Sequence, residues 1–541
     1  MRRRLTKKLK DLLVQSKKPR EPQTRSPDRR PPEKGPMKQW EPAALEKMPV
    51  SADLGANIQL LEEVFGQNTD FTVREFAVGP QKVPAAIVYL STAVERAQLD
   101  NFVLESLMLR YPENLPVTLT SAEQSAVNVA KVTRYNTFRE IATALLNGEA
   151  VLFLTGETQA LGLDVMDYQD RAITESMTES VVRGPRDAFV EDFRKNIMLI
   201  RRRLKTPNLV MERFEIGRET QTTVVLGYIK GLALPELASE VRNRLQRIDI
   251  DAVFDSNYIE EMIVDNPLSP FPQVLATERP DRVAAALVEG RVVLLTDTTP
   301  FALVLPATLA SLLQASEDYY HPFGISTVVR WLRYVAFFVS IAASPLYVAI
   351  TTFHQEMIPF GLLLSIAVSR EGVPLPAVLE ALVMETTFEL LREAGVRLPR
   401  PIGQAVSIVG ALVIGDAAIT AKVVSPLMVI VVATAGIASF ATPSYELAIP
   451  MRLLRFPLIV AGGVLGLFGV TAGLLAVLIH LAGLRSFGQP YLAPLAPLKF
   501  TGLKDVLVRL PVWAMRTRPG TSKRDWHRAA PGLKPERPEE H

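Results

Sequence analysis

Residues 335–353 read VAFFVSIAASPLYVAITTF, 402–421 read IGQAVSIVGALVIGDAAITA, 424–441 read VSPLMVIVVATAGIASFA and 458–481 read LIVAGGVLGLFGVTAGLLAVLIHL. Backbone in hydrocarbon must satisfy its hydrogen bonds internally, so runs of about 20 apolar residues read as spanning helices. The long stretch before them has soluble character. Together they predict a polytopic membrane protein with a large head, and a mixed fold class: a duplicated α/β (α+β) head of two similar subdomains followed by an α-helical transmembrane bundle.

Composition agrees. At 541 residues, with 48% hydrophobic content and mean hydropathy of +0.17, the chain is too polar to lie wholly in lipid. Cysteine is absent, which excludes thiol nucleophiles, thiolate metal sites and disulfides. The net charge is only +3, but residues 1–50 are dense in Arg, Lys and Pro and read as a disordered tail. Without interleaved aromatic residues that tail does not predict nucleic-acid binding; it is solvated, or touches anionic lipid. No secretory signal is visible.

Between 52 and 306 the pattern alternates between helical periodicity and short β-branched runs, and it repeats. Asn57-Ile58-Gln59-Leu60-Leu61 leads into strand-like 71–78 and 85–90; Asn196-Ile197-Met198-Leu199-Ile200 leads into 209–216 and 223–229. The ends match best, each a helix, a glycine (Gly148, Gly290) suited to the left-handed position, then a buried strand. The expected division is a tail over 1–50, subdomains over 51–166 and 188–330, a connector over 167–187, the bundle over 331–485 with an elbow helix over 376–395, and a basic tail over 486–541.

The spanning candidates are 335–353, 402–421, 424–441 and 458–481, with 357–369 marginal. Arg330 and Arg333 place the head in the cytoplasm by the positive-inside rule. The basic C-terminal tail should lie there too, which needs an even number of crossings; five candidates do not give one. Either 357–369 fails to cross or the tail breaks the rule.

No Walker, nucleophile-elbow or zinc-protease pattern is present, and the five histidines are scattered. The chain is not expected to be an enzyme, and no cofactor or metal is expected. His354 and Glu356 read as a solvated loop pair. In 402–421 the residues Gly403, Ser407, Gly410, Ala411, Ile414, Ala417, Ala418 and Ala421 leave one helical face nearly free of bulk, suited to close packing or to a pore wall. Asp416 adds weight to the pore, because a carboxylate inside a spanning helix costs about 3 kcal/mol unless it meets water or a partner such as Lys422. Gly462 and Gly466, then Gly469 and Gly473, fit Gly-x-x-x-Gly and predict helix packing. Glu385, Glu389 and Glu393 form a like-charge stripe opposite Leu379, Leu382, Val383 and Leu390, read as the solvated face of an interfacial helix.

Several strings are distinctive: Val181-Val182-Arg183-Gly184-Pro185-Arg186-Asp187-Ala188-Phe189, Glu278-Arg279-Pro280-Asp281, Glu289-Gly290-Arg291, Glu317-Asp318-Tyr319-Tyr320, Arg392-Glu393-Ala394-Gly395 and Ser486-Phe487-Gly488-Gln489-Pro490-Tyr491. By these the chain resembles the A subunit of the bacterial spore germination receptors, the GerA family, together with its paralogue in the spore dipicolinate-release system. Ser176 departs from the family's usual proline. The resemblance implies a subunit in the spore inner membrane with a cytoplasmic head, partnered by a transporter-like nutrient-sensing B subunit and a lipoprotein C subunit, and self-associating into a ring that conducts ions. A secondary transporter is the competing class, but the repeat lies in the soluble part.

Overall fold

The two halves of the head start on the same side-chain bracket. Ser51 donates its N–H to Asn57 Oδ1 at 2.9 Å and Asn57 Nδ2 donates back to the Ser51 carbonyl at 2.7 Å; Val190 and Asn196 repeat this at 2.8 and 2.6 Å. Asp53 and Asp192 then cap α1 (Leu54–Phe65) and α3 (Phe193–Arg203), accepting from the N–H of Gly55 and Arg194. Such caps contribute about 1 kcal/mol each. The computed structural model describes residues 40–112, 114–166, 176, 178–179, 181–398, 415–518 and 528.

The first sheet comprises β1 (Phe71–Val78), β2 (Val83–Leu90), β3 (Val132–Tyr135), β4 (Glu149–Leu154) and β5 (Ala160–Asp164), in the order β1-β2-β4-β5-β3. The second comprises β6 (Leu209–Ile216), β7 (Thr222–Ile229), β8 (Leu275–Thr277), β9 (Val292–Thr296) and β10 (Ala302–Leu305), in the order β6-β7-β9-β10-β8. Every pairing in both is antiparallel. This is one topology used twice. The glycine after α2 (Phe138–Leu146), Gly148, and its counterpart Gly290 turn at φ 91° and 85°, a conformation that a Cβ resists. Between them lie α4 (Pro235–Arg247), α5 (Ser256–Ile263) and α6 (Pro280–Val288).

The halves are clasped by Arg201 of α3, which is buried against Asp70 at 2.7 Å and shares Asn68 Oδ1 with the N–H of Met211. The second half does not close its core alone: Leu447, Leu481, Leu484 and Tyr491 join Ile197, Leu209, Val293 and Leu312 in one cluster. Head and helical region therefore share a core. Burying such side chains stabilises by about 1.5–3 kcal/mol each.

The helical region has α7 (Phe323–Phe353), α8 (Phe360–Arg370), α9 (Ala377–Arg397), a short turn Gly415–Thr420, α10 (Pro426–Phe440) and α11 (Tyr445–Gly483). Helices α7 and α11 are long and apolar enough to cross a membrane. Helix α11 is not straight. Gly466, at φ 62° and ψ −145°, breaks it, and contacts straddle the break: Gly469 lies on the Ala461 carbonyl, Gly462 faces Val470, and Gly473 faces Leu458. The arms 445–465 and 467–483 thus fold into an antiparallel hairpin.

The remaining contacts fix directions. At the end far from the head, His354 meets Gly466, Val378 meets Gly463 and Lys422 meets Gly372. Near the head, the Arg392 guanidinium lies 4.4 Å from the Phe440 ring centre. Helix α7 therefore runs away from the head, α9 and α10 run back, and the two arms of α11 run out and back. Among the described residues these make five passages, and the last leaves the C-terminal segment beside the head, where Asp505 meets Arg330 and Tyr319.

Of the two alternatives left for 357–369, α8 shows the first: its 11 residues span about 16 Å and make no passage. Two expectations change. The 458–481 candidate is a turn between two passages. The expected elbow helix is itself a passage.

Candidate functional site

Helix α9 is built inside out. Leu379, Val383 and Leu390 are 47%, 45% and 66% exposed, whereas Glu380 and Glu385 are buried. Of the stripe Glu385, Glu389 and Glu393, the first is buried, the second partly exposed and the third exposed beside Arg397, while of the apolar side only Leu382 packs inward; a helical wheel shows two faces but not which solvent each meets. The carboxylates meet arginines from neighbouring helices. Glu380 lies 3.7 Å from Arg370 and accepts from the Ser425 N–H at 2.6 Å and from its hydroxyl. One and a half turns on, Glu385 pairs with Arg455 at 2.5 Å, both only 3% exposed. The Ser344 hydroxyl donates to Glu385 at 2.6 Å, and Arg455 Nε donates to the Ser340 carbonyl at 2.8 Å. Glu389 pairs with Arg452, and Arg392 reaches Ser439 at 3.3 Å. A charged seam thus follows α9 through the apolar bundle towards the head.

The seam ends where the distinctive strings gather. Asp318 takes Arg330 at 3.0 Å and Arg333 at 3.1 Å. These arginines, read from the sequence as the positive-inside flank of the first span, are buried in ion pairs. Arg279 pairs with Asp281 at 2.8 Å and donates to the Pro185 carbonyl at 3.0 Å; Arg282 pairs with Glu179 at 2.8 Å. The Tyr319 hydroxyl donates to Asp505 at 2.7 Å, that of Tyr320 to Asp281. Burial, and then the neighbouring carboxylate, holds both phenols above their ordinary pKa. Ser176 has its own use: its hydroxyl donates to Glu278 at 2.6 Å and accepts from the Glu179 N–H at 2.9 Å. A crevice of about 330 Å³ remains between Glu179, Arg279, Arg282, Arg333 and Thr442.

Of the small-residue helix, Gly403, Ser407, Gly410 and Ile414 lie outside the described residues. Asp416, Ala417 and Ala421 are exposed at the far end of the bundle, where Lys422 lies along Gly372. Gly462, Gly466, Gly469 and Gly473 all sit at the hairpin. His354 is half-buried with its ring against Gly466, not solvated with Glu356. Among the described residues no group of three or more His, Asp or Glu is placed to hold a metal ion.

Residues 59–521 match the family described as Bacillus/Clostridium GerA spore germination protein. The chain belongs to the GerA family. Within it, spore germination protein KA of Bacillus subtilis is 44% identical over 493 residues, 90% of each chain. The B. subtilis membrane protein YfkQ is 44% identical over 476 residues, 88% of this chain and 92% of YfkQ. Among solved structures, the N-terminal domain of the A subunit of the Bacillus megaterium spore germinant receptor GerK3 is 32% identical, covering 48% of this GerA chain and 97% of that one, with a TM-score of 0.39.

Proposed function

We propose that this GerA-family chain is the ion-conducting membrane subunit of a spore germinant receptor. Its bundle crosses the spore inner membrane, its head is cytoplasmic, and copies assemble into a ring. The observation that carries the membrane reading is α9, with leucines outward and carboxylates inward, which suits hydrocarbon and not water. The C-terminal segment beside the head, held there by Asp505 on Arg330 and Tyr319, and its exposed Lys499, Lys504 and Arg516 support a cytoplasmic placement of both soluble ends.

In this reading Gly403, Ser407, Gly410 and Ile414 border the ion path, with Asp416, Ala417 and Ala421 at its distal mouth, and the hairpin glycines hold the bundle together. The seam links the path to the head. Three carboxylates of α9 held by arginines of α8 and α11 move those helices together or not at all, as a two-state element requires. A nutrient-sensing B subunit, alongside a lipoprotein C subunit, would open the ring by binding the open state more tightly; equal affinity shifts nothing. The chain has no catalytic part in this scheme.

Gly410→Leu tests it. The receptor should still assemble in spores while nutrient-triggered release of monovalent cations falls to background. Unchanged release would remove residues 402–421 from the path. Loss of dipicolinate release with cation release intact would move the chain to the paralogous system.

A further inference from the structure

The C-terminal segment 498–513 is strapped to the first turns of α7. Trp331 Nε1 donates to the Leu507 carbonyl at 2.7 Å, the Tyr334 hydroxyl to the Val506 carbonyl at 2.8 Å, and the Arg509 N–H to Thr327 Oγ1 at 3.1 Å. Arg330 binds the Asp505 carbonyl. These bonds occupy one face of α7. The adjacent face is an exposed apolar lane, Ile325, Val328, Val329, Leu332 and Val335, with Leu332 63% exposed. On the strap itself Leu498, Phe500 and Val512 are exposed, Phe500 to 74%. Lys499 and Lys504 are exposed among them.

Length says what covers this surface. The 31 residues of α7 span about 46 Å, against about 30 Å for hydrocarbon and 40–45 Å for a bilayer with its headgroups. With Phe353 at the far edge, the first turns and the strap fall in the headgroup layer on the head side. The lane runs at i, i+3, i+4, i+7 spacing without a break from that layer into the spanning part, so its covering is continuous with the lipid face of the bundle. Exposed lysines flanking large apolar residues fit anionic headgroups and are depleted in protein interfaces. Trp331 has its one polar atom satisfied internally, leaving its apolar ring for the layer where tryptophan concentrates.

We infer that residues 498–513 and the head-proximal lane of α7 form a collar that lies in the interfacial layer and binds anionic phospholipid. The inference rests on the membrane placement proposed above. The collar fixes the height of the head above the bilayer, and through Asp505 it touches the Arg330–Asp318 pair on which the bundle stands.

The chain has no cysteine, so single nitroxides are placed in the full-length protein by Phe500→Cys and Leu332→Cys. Leu475→Cys, exposed midway along the bundle, and Gln246→Cys, on the head surface, serve as references. In nanodiscs containing phosphatidylglycerol, labels at 500 and 332 should be relaxed by oxygen and shielded from a water-soluble nickel chelate. The label at 500 should rise towards water in phosphatidylcholine, and Lys499→Glu with Lys504→Glu should erase that difference between lipids. Nickel access at 500 and 332 equal to that at 246 overturns the collar, as does exclusion of both relaxers, which would mean that protein covers the surface. Nickel access at 475 overturns the membrane reading itself.

Discussion

Helices α3 and α9 carry similar residues and use them in opposite senses. In α3, Ile197 and Ile200 are buried in the core while Arg202 faces solvent; in α9 Glu380 and Glu385 are buried while Leu379, Val383 and Leu390 are exposed. Each helix nonetheless contributes to a buried ion pair, Arg201–Asp70 at 2.7 Å in the head and Glu385–Arg455 at 2.5 Å in the bundle. The difference teaches which solvent each was made for. In the head the pair, as buried as that of the bundle, closes a seam between two halves whose outer faces carry charge. In the bundle an orphaned charge has only hydrocarbon or helix around it.

The largest effect follows from that contrast. Arg455→Ala should destabilise the full-length protein by about 3–5 kcal/mol by leaving Glu385 uncompensated, read as a fall in thermal midpoint in detergent. Arg455→Met with Glu385→Leu should recover most of the stability while the germination response stays lost; recovery of both would make the seam merely structural. Asp318→Asn, which strips Arg330 and Arg333 at the junction, should cost about 3 kcal/mol and expose the junction to protease while fragments of the head persist.

Glu260 of α5 sharpens the comparison on the head side. Burial, and then the charge of Glu446, push its carboxyl up to about 8. The folded state holds this proton where the unfolded chain, with a pKa of about 4.3, has released it. The stabilisation is complete below about pH 4.3 and is lost as pH rises to about 8. Glu260→Gln should therefore add on the order of 2 kcal/mol at pH 8.5 and almost nothing at pH 4; a pH-independent effect would place the carboxyl in water. The smallest effects test the duplication. Asn57→Ala and Asn196→Ala each break one bracket and should cost a similar amount, about 1–3 kcal/mol, because each strands buried backbone groups.

Much of the head was legible because its signals are local. Asn57 with Asn196 and Gly148 with Gly290 occupy equivalent places in the two repeats, and the chemistry that fixes each lies within six residues. The bundle was legible as apolar helices but not in its connections. The glycine pairs of 462–473 look like one continuous packing face until the positive φ at Gly466 turns the helix on itself and sets residue 458 beside 473. Arg330 reads as a positive-inside flank until Asp505, far along the chain, is brought to its side. The polarity of α9 was misread for a third reason: amphipathicity is symmetric with respect to solvent, and only the arginines of α11 reveal which face is the interior.

The account stands on α9 crossing the membrane with its leucines in lipid. In the cysteine-free background, Val383→Cys and Leu390→Cys should resist a membrane-impermeant maleimide from both sides of intact vesicles and react once detergent is added, while Gln246→Cys reacts from the cytoplasmic side. Rapid labelling of residue 383 or 390 in sealed vesicles would mean that this face meets water, and would contradict the inside-out bundle on which the conduction scheme depends.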